Sequence, residues 1–200
     1  MRVILGSGSP RRKEILSLLG IDFEVVVSDC DENISEKDPE IFVEKLSLMK
    51  AKEVSRQILT PAVIIGADTA VWHRGEILTK PKSEDEAFRM IRSLADDRHL
   101  VTTGVTLLRK NGLGNMKTET FHVTAEVEVD KMTADEIRAY VATGEPMDKA
   151  GAYAIQGKFA PYIRGIHGDY YTIVGLPINE VRKRLIRMMA DHGDGSLASW

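Results

Sequence analysis

The residues best suited to chemistry begin with a loop of small residues that runs into two arginines. Ser7–Ser9 precedes Pro10, Arg11 and Arg12. The main-chain N–H groups of such a loop and of a following helix attract an anion, and guanidinium groups donate paired hydrogen bonds to phosphate oxygens. The glycine spacing matches neither a P-loop nor a dinucleotide-binding fingerprint. A phosphate site and a plain tight turn with exposed arginines are therefore both open.

Carboxylates form the second group of candidates. Asp68 stands near the end of the apolar run Ala62–Thr69, and the acidic loop Ser28–Lys37 contains Glu32. The apolar run predicts a buried strand that ends in a turn and delivers Asp68 to a cleft. Carboxylates that meet at strand ends can hold Mg²⁺ or Mn²⁺, hard cations that bridge phosphate oxygens. The alternatives are that Asp68 only caps a turn and that the acidic loop is a solvated segment.

Two lysines and one amide complete the candidates. Lys80 directly precedes Pro81, which holds the lysine backbone extended and could direct its charge into a cleft. Lys50 stands among the polar positions of a predicted helix, and each lysine taken alone is typical of a surface residue. Gln156 lies in the long segment Glu145–Gly157, where its paired donor and acceptor could read the edge of a base.

Strands and helices must alternate to position these groups. In chain order the sequence predicts a strand at Val3–Leu5, a helix from Pro10 to Gly20, a strand at Phe23–Val27, a helix at Pro39–Gln57, the strand that delivers Asp68, a hairpin at His73–Gly75, a helix at Ser83–Leu94, strands at His99–Leu108 and Thr118–Val129, a helix at Thr133–Thr143 and a helix at Leu176–Ala190. This order predicts an α/β fold with a mixed sheet, bent or split into two lobes.

Local signals support several of these boundaries. Ser9 is a natural N-cap before Pro10 at the first helical position. Thr133 is followed three residues later by Glu136, and Ser83 by Glu86, which is the spacing of a capping box. In the predicted helix Pro39–Gln57, one apolar stripe is expected to face the core. Its members are Phe42, Val43, Leu46 and Met49.

Composition excludes several classes of function. The chain has 200 residues, a net charge of -3 and a single cysteine, Cys30. Its pI of about 6.0 gives no general attraction to phosphate backbones, so a nucleic-acid partner is not expected. No stretch approaches the roughly eighteen apolar residues of a membrane span, so no membrane partner is expected either. The lone cysteine and the lack of a secretory signal predict a cytoplasmic protein.

The chain offers no linker that would divide it into independent domains. We expect one two-lobed domain over residues 1–190, followed by a frayed tail over residues 191–200, which are rich in Gly, Ser and Asp.

Six segments taken together resemble the Maf family of nucleotide pyrophosphatases. They are LGSGSPRRKEIL at Leu5–Leu16, GADTAV at Gly66–Val71, LTKP at Leu78–Pro81, SLADDRHLVTTGV at Ser93–Val105, GEPMDKAGAYAIQG at Gly144–Gly157 and GDYYTIVGLPI at Gly168–Ile178. Because they follow the family's order over nearly the whole chain, the resemblance is highly specific.

The resemblance implies hydrolysis of a nucleoside triphosphate between its α and β phosphates with a divalent metal, Mg²⁺ or Mn²⁺. It implies an α/β fold with a mixed, bent central sheet flanked by helices, and two lobes with a cleft, similar to inosine triphosphate pyrophosphatases. It favours a homodimer. The residues it implies are Asp68 as proton acceptor, Glu32, Lys50 and Lys80 as further catalytic residues, Ser9 and Arg12 as substrate-binding residues, and Glu32 and Asp68 as metal ligands.

Three further positions sort the family into subgroups. Arg11 after SP, Thr69 after Asp68 and Gln156 in AIQG resemble the dTTP/UTP pyrophosphatase subgroup. The resemblance therefore implies a pyrimidine substrate, with dUTP and modified pyrimidine nucleotides as further candidates. The alternative from another class is a non-catalytic nucleotide-binding regulator of cell division. A hydrolase of other phosphate esters, which would release orthophosphate, is a third possibility.

Overall fold

The computed structural model describes residues 1–111 and 115–190. The strands are β1 (Arg2–Leu5), β2 (Glu24–Val25), β3 (Ala62–His73), β4 (Glu76–Leu78), β5 (Arg98–Lys110), β6 (Met116–Val129) and β7 (Ile163–His167). The helices are α1 (Pro10–Ser17), α2 (Pro39–Gln57), α3 (Glu84–Leu94), α4 (Ala134–Val141), α5 (Tyr170–Val174) and α6 (Ile178–Ala190). The predicted tail over residues 191–200 lies outside the described residues. So do Gly112 and Gly114.

All seven strands join one mixed sheet in the order β2-β1-β3-β5-β6-β7, and β4 pairs with β3. The β1 strand lies parallel to β2 and β3, whereas β3, β5, β6 and β7 pair antiparallel. The prediction of an α/β fold with a mixed sheet and flanking helices is confirmed.

Helix α2 crosses one face of the sheet at very short range. A Cβ atom added to Gly66 would lie 2.3 Å from the carbonyl oxygen of Ser47, and one added to Gly104 would lie 2.5 Å from that of Val43. Any larger residue at these two positions would push the helix away. The glycines of β3 and β5 therefore let α2 lie directly on the strand backbones.

Besides a cluster that packs α2 against Ala62 and Ile64, two hydrophobic clusters lie along β3, one before and one after Asp68. One packs α1 and α6 against the first part of the strand through residues such as Ile65 and Leu185, and the other packs α3 and α4 around Val71. Each buries the apolar side of its helices, which is the main source of helix stability in a protein of this size. Asp68 and Thr69 lie on β3 between the two clusters, where polar groups are not enclosed by apolar side chains.

Most predicted helix boundaries are confirmed. Helix α2 has the predicted bounds, and α1 begins at Pro10 with the Ser9 side chain as its N-cap. Thr133 and Glu136 form a complete capping box. The Ser83 box is only half formed, because the Glu86 carboxylate accepts a hydrogen bond from the Lys82 N–H instead.

Other details differ from the predictions. Strand β2 is shorter than expected, since only Glu24 and Val25 pair with β1. The short helix α5 falls between the predicted helices Thr133–Thr143 and Leu176–Ala190, where no helix was predicted, and it begins where Asp169 accepts a hydrogen bond from the Thr172 N–H. Over residues 1–111 and 115–190, none of the helices has the length and apolar character needed to cross a membrane.

Candidate active site

A cleft of about 610 Å³ lies beside the middle of β3. That volume is in the range of small-molecule and cofactor sites. All nine site residues predicted from the sequence line it: Ser9, Arg11, Arg12, Glu32, Lys50, Asp68, Thr69, Lys80 and Gln156. The fold therefore brings together groups that lie up to about three quarters of the chain apart.

The cleft exists because β3 changes partners along one edge. On that edge β1 pairs with Ala62–Ile65 and β4 pairs with Val71–His73. Among the described residues no strand pairs on this edge with residues 66–70, whose other edge pairs with β5. The Gly6 N–H donates to the Ile65 carbonyl at 2.8 Å, so main-chain groups of alternate residues after Ile65 face the same edge. The open edge thus carries the N–H and C=O groups of Ala67 and Thr69.

The predicted position of Asp68 at the end of a strand is wrong. Asp68 lies in the middle of β3, which is 12 residues long and pairs continuously with β5. The strand does not end at the polar pair Asp68-Thr69, because the apolar residues Ala70, Val71 and Trp72 continue it to His73. Asp68 reaches the cleft through the gap between two strand partners, and no turn is needed.

Asp68, Lys50 and Glu32 form an ionic cluster in the cleft. The Lys50 Nζ lies 2.5 Å from Asp68 Oδ1 and 3.0 Å from Glu32 Oε1. Asp68 and Lys50 are both only 8% exposed, whereas the Glu32 side chain is 55% exposed. A buried ammonium group needs charged partners to offset its lost hydration, and the two carboxylates supply them. Burial of Lys50 also corrects its predicted place on the polar side of α2.

The same two carboxylates fit the demands of a divalent cation. Glu32 and Asp68 offer hard oxygen donors, and both converge on one positive charge, the Lys50 ammonium. Mg²⁺ and Mn²⁺ are bound through one or two carboxylates plus substrate phosphates in sites of this kind. A second group of potential ligands, Glu126, Glu128 and His167, lies on the sheet surface away from the cleft. Arg98 already pairs with both of its carboxylates.

Arg12 is held firmly on the other face of β3. Its Nε donates to the Gly175 carbonyl at 2.8 Å, Nη1 to Ser7 Oγ at 3.2 Å, and Nη2 to Thr69 Oγ1 at 3.0 Å. Burial lowers the pKa of the Arg12 guanidinium, and the nearby Asp68 charge partly opposes this effect. Three of the five N–H groups of Arg12 are thus used inside the protein, and two are left for a ligand.

Two serines organise the loop before α1. The Ser9 side chain accepts the Arg12 N–H at 3.5 Å, which caps the helix. Ser7, which sequence reasoning did not select as a site residue, is 8% exposed and accepts hydrogen bonds from Ser9 N–H and from Arg12. Ser9 therefore contributes through the loop geometry, and Ser7 through the position of Arg12.

Thr69 is part of a chain of hydroxyl groups behind the cleft. Its Oγ1 lies 2.9 Å from Thr103 Oγ1, and Thr103 donates to the Thr172 carbonyl at 2.7 Å. Thr103 and Thr172 are both fully buried. Thr103 was not predicted as a site residue. The available signal was the polar pair Thr102-Thr103 inside an otherwise buried strand, since buried hydroxyls need partners.

The opposite side of the cleft is formed by residues 145–158, which contain two short 3₁₀ turns, Glu145–Asp148 and Ala150–Ala152. Gln156 is exposed here, at the end of a buried run that includes Tyr153. Arg11 approaches this side, with its Nη1 at 4.0 Å from Asp148 Oδ2. Lys80 is exposed at the rim. These groups are accessible to a ligand without any rearrangement of the core.

Side-chain hydrogen bonds hold the 145–158 segment. The Glu145 carboxylate accepts the Tyr140 hydroxyl at 2.9 Å and the Lys158 N–H at 3.0 Å. Tyr153 Oη lies 2.7 Å from His99 Nε2, and His99 is 3% exposed. Burial lowers the pKa of His99 to about 3, so the ring is neutral at physiological pH. No local sequence pattern identifies the contact of Tyr153 with His99, because the two residues are 54 positions apart in the chain.

Comparison with protein families matches residues 2–188 to the family described as Maf-like protein. A protein of Lachnoclostridium phytofermentans named dTTP/UTP pyrophosphatase is 50% identical over 186 residues, which cover 91% of this chain and 94% of that protein. A protein of Alkaliphilus metalliredigens with the same name is 49% identical over 178 residues, covering 88% and 91%.

The chain also aligns with the solved structure of the Ham1 protein of Staphylococcus aureus. The TM-score is 0.42 and the identity 14%, over 81% of this chain and 93% of that one. This likeness is too weak to support a conclusion about the site.

Proposed function

The chain belongs to the Maf-like protein family, and we propose that it hydrolyses dTTP and UTP to the nucleoside monophosphate and pyrophosphate. Two relatives that carry the name dTTP/UTP pyrophosphatase align over about nine tenths of the chain, at 50% and 49% identity. The reaction breaks the bond between the α phosphorus and the bridging oxygen to the β phosphate. Water supplies the new oxygen on the α phosphorus.

One observation carries this proposal. Asp68 Oδ1 and Glu32 Oε1 both lie within 3.0 Å of Lys50 Nζ in the cleft. The loop before α1 and the first turn of α1, which contains Arg12, line the same cleft. A triphosphate needs positive charge and N–H donors along its length, and its hydrolysis needs a group that accepts a proton from water. The cleft supplies both within a volume suited to a nucleotide.

Asp68 is assigned as the group that orients and deprotonates the attacking water. Lys50 donates to Oδ1 of Asp68, which holds the carboxylate in one orientation. The remaining oxygen, Oδ2, would accept the proton while water attacks the α phosphorus. Lys50, Lys80 and Arg12 would neutralise charge on the phosphates and on the departing pyrophosphate, with the N-terminus of α1 adding main-chain donors.

Glu32 and Asp68 would hold the divalent cation, Mg²⁺ or Mn²⁺. When bound, such an ion neutralises phosphate charge and orients the substrate. We assign the recognition of the base to Arg11, Thr69 and Gln156, which lie on both sides of the cleft. A cytoplasmic location and a homodimer remain predictions from the sequence.

The test is a product analysis with purified protein, UTP or dTTP, and Mg²⁺ or Mn²⁺. Phosphorus NMR should show UMP or dTMP and pyrophosphate in equal amounts, and a chelator should stop the reaction. Release of orthophosphate and a nucleoside diphosphate would instead indicate a different phosphohydrolase. Binding of the nucleotide without any turnover would indicate a non-catalytic regulator and would refute the proposal.

A further inference from the structure

The hydroxyl groups of Thr103 and Thr69 have a fixed hydrogen-bond direction. Thr103 Oγ1 lies 2.7 Å from the Thr172 carbonyl oxygen. A carbonyl only accepts, so the single hydroxyl proton of Thr103 is committed to it. Thr103 can therefore take part in its 2.9 Å contact with Thr69 only as the acceptor. The proton in that second bond must come from Thr69.

Because Thr69 donates its own proton to Thr103, it can make only one kind of hydrogen bond to a ligand. Its hydroxyl donates to Thr103 and accepts from Arg12 Nη2 at 3.0 Å. A hydroxyl has one proton and two lone pairs. One lone pair therefore remains on Thr69, and Thr69 is a half-buried residue that lines the cleft. Toward a ligand, Thr69 can accept a hydrogen bond but cannot donate one.

The directions of the two hydrogen bonds of Thr69, from Arg12 and to Thr103, are hard to reverse. Arg12 has donors only, and its Nε and Nη1 are tied to Gly175 and Ser7, so it continues to donate to Thr69. At the other end, rotating the Thr103 hydroxyl away would leave the Thr172 carbonyl without this bond in a fully buried position. An unpaired buried acceptor is unfavourable by roughly 1–3 kcal/mol.

We propose that Thr103 is a positioning residue for base selection, because it makes Thr69 an obligate acceptor for the imide N–H of uracil or thymine. The proposal rests on the function proposed above and deepens it. Uracil and thymine carry a proton on N3, whereas the N3 of cytosine is an unprotonated acceptor. Against Thr69 a cytosine would place two acceptors face to face with no proton between them. Sites that leave polar groups unpaired in this way reject the wrong substrate strongly.

The decisive variant is Thr103→Val, which removes the hydroxyl at nearly constant volume. The Thr69 proton is then free to point into the cleft, so cytosine can be accepted. We expect the ratio of kcat/KM for UTP over CTP to fall by roughly 10-fold or more, mainly through a gain with CTP. Thr103→Ser keeps the hydroxyl and should keep the ratio.

Thr102→Val is the matched control, since it removes an equally buried hydroxyl from the neighbouring residue of the same strand. Thr102 is 1% exposed and lies 3.0 Å from Thr124 Oγ1, on the other face of β5. This variant should lower stability to a similar extent and leave the ratio unchanged. A purely structural role of Thr103 would reduce kcat/KM for UTP and CTP equally, and that result would overturn the proposal.

The experiment separates this inference from the proposed function. If the wild-type protein releases no pyrophosphate from either nucleotide, the proposed function fails, and the UTP/CTP ratio is then read from dissociation constants measured by calorimetry. Equal affinities for UTP and CTP in the wild-type protein would overturn the inference. If Thr103→Val does not fold, Thr69→Val serves instead, since losing the acceptor must lower the ratio as well. An unchanged UTP/CTP ratio in Thr69→Val would also overturn the inference.

Discussion

The two sides of the cleft are built by different means. The first side, which we call the ladder side, comprises residues 6–12, Lys50 and residues 68–69, and it rests on paired strands and on two helices. The second, which we call the loop side, comprises residues 145–158 and contains two short 3₁₀ turns. Strand pairing and helices fix the ladder side, whereas the loop side is held by short turns and by side-chain hydrogen bonds such as those of Glu145 and Tyr153.

This difference implies a division of labour. Groups that must stay in register with a water molecule and three phosphates lie on the ladder side, where strand and helix geometry leaves little freedom. Gln156 lies on the loop side, where position depends on Glu145, Tyr153 and their partners. We therefore expect changes at Arg12, Lys50 or Asp68 on the ladder side to lower turnover with every nucleotide. Changes on the loop side should alter substrate preference and local stability.

Asp68→Asn is expected to have the largest effect. Loss of the proton acceptor should reduce pyrophosphate release by roughly 10²-fold or more with UTP and dTTP alike. The matched control is Asp148→Asn, a carboxylate at the loop side whose side chain is 71% exposed, and it should lose far less. Melting temperatures show whether both variants are folded. A folded Asp68→Asn protein with wild-type turnover would contradict the assignment of Asp68.

Arg12→Lys should have the next largest effect. Lysine lacks the planar fork that binds Gly175, Ser7 and Thr69 together. Loss of these bonds predicts a decrease in kcat/KM of roughly 10- to 100-fold. Arg11→Lys is the comparison variant, because Arg11, which we assign to the base, makes only a long, partly exposed ion pair with Asp148 inside the protein. Weakening that pair should lower kcat/KM by at most about fivefold. Equal decreases in the two variants would show that Arg12 is not the more constrained residue.

Low pH should lower the stability of the protein through His99, which contacts Tyr153 of the loop side. The pKa of His99 is about 3 in the folded protein because the ring is buried, against about 6.5 when unfolded. Between these values the unfolded chain binds the extra proton. The free energy of unfolding should therefore fall by up to about 1.4 kcal/mol for each pH unit below about 6.5, and be constant above it on account of this group.

His99→Gln provides the control for that measurement, since it cannot take up a proton. Chemical unfolding is measured between pH 7 and pH 4.5. The free energy of unfolding should change less steeply with pH in the variant, by the equivalent of about one bound proton. The same pH dependence in both proteins would show that His99 does not remain buried and neutral as the structure has it.

Glu145→Gln should have the smallest effect. The neutral amide weakens the hydrogen bonds from Tyr140 and Lys158 that hold the segment carrying Gln156. Preference for UTP over purine triphosphates should fall by roughly threefold to tenfold, with kcat for UTP nearly unchanged. Tyr140→Phe removes one of the two bonds and should give a smaller change. A large fall in kcat without a change in preference would place Glu145 with the ladder side.

Sequence reasoning predicted the ladder side well because its signals are local. Ser9 before Pro10 marks the start of α1, and the amphipathic pattern that includes Val43 and Leu46 indicates α2. The burial of Lys50 was missed, since its charge alone places it on a polar face. Its actual position depends on Gly66 and Gly104, two residues in other strands that let α2 approach the sheet.

The loop side could not be predicted to the same depth. The sequence between Gly144 and Gly157 shows small residues and turns, but the side chains that shape it come from Tyr140 and His99. Each of those partners belongs to a different helix or strand, so their meeting is a product of the sheet topology. Gln156 was proposed from its paired donor and acceptor and from the family resemblance, and Thr103 was not found at all.

The gap in strand partners along β3 has one more consequence, which concerns solvent exchange. On one edge of β3, β1 pairs with Ala62–Ile65 and β4 with Val71–His73. The amide protons of Ala67 and Thr69 lie between these two partners and face the cleft, not another strand. Their exchange with deuterium should therefore be faster than that of Ile65, whose side of the ladder is closed by β1. A nucleotide seated in the cleft would slow the exchange at these two amides, and the occupied state could be followed residue by residue without any turnover.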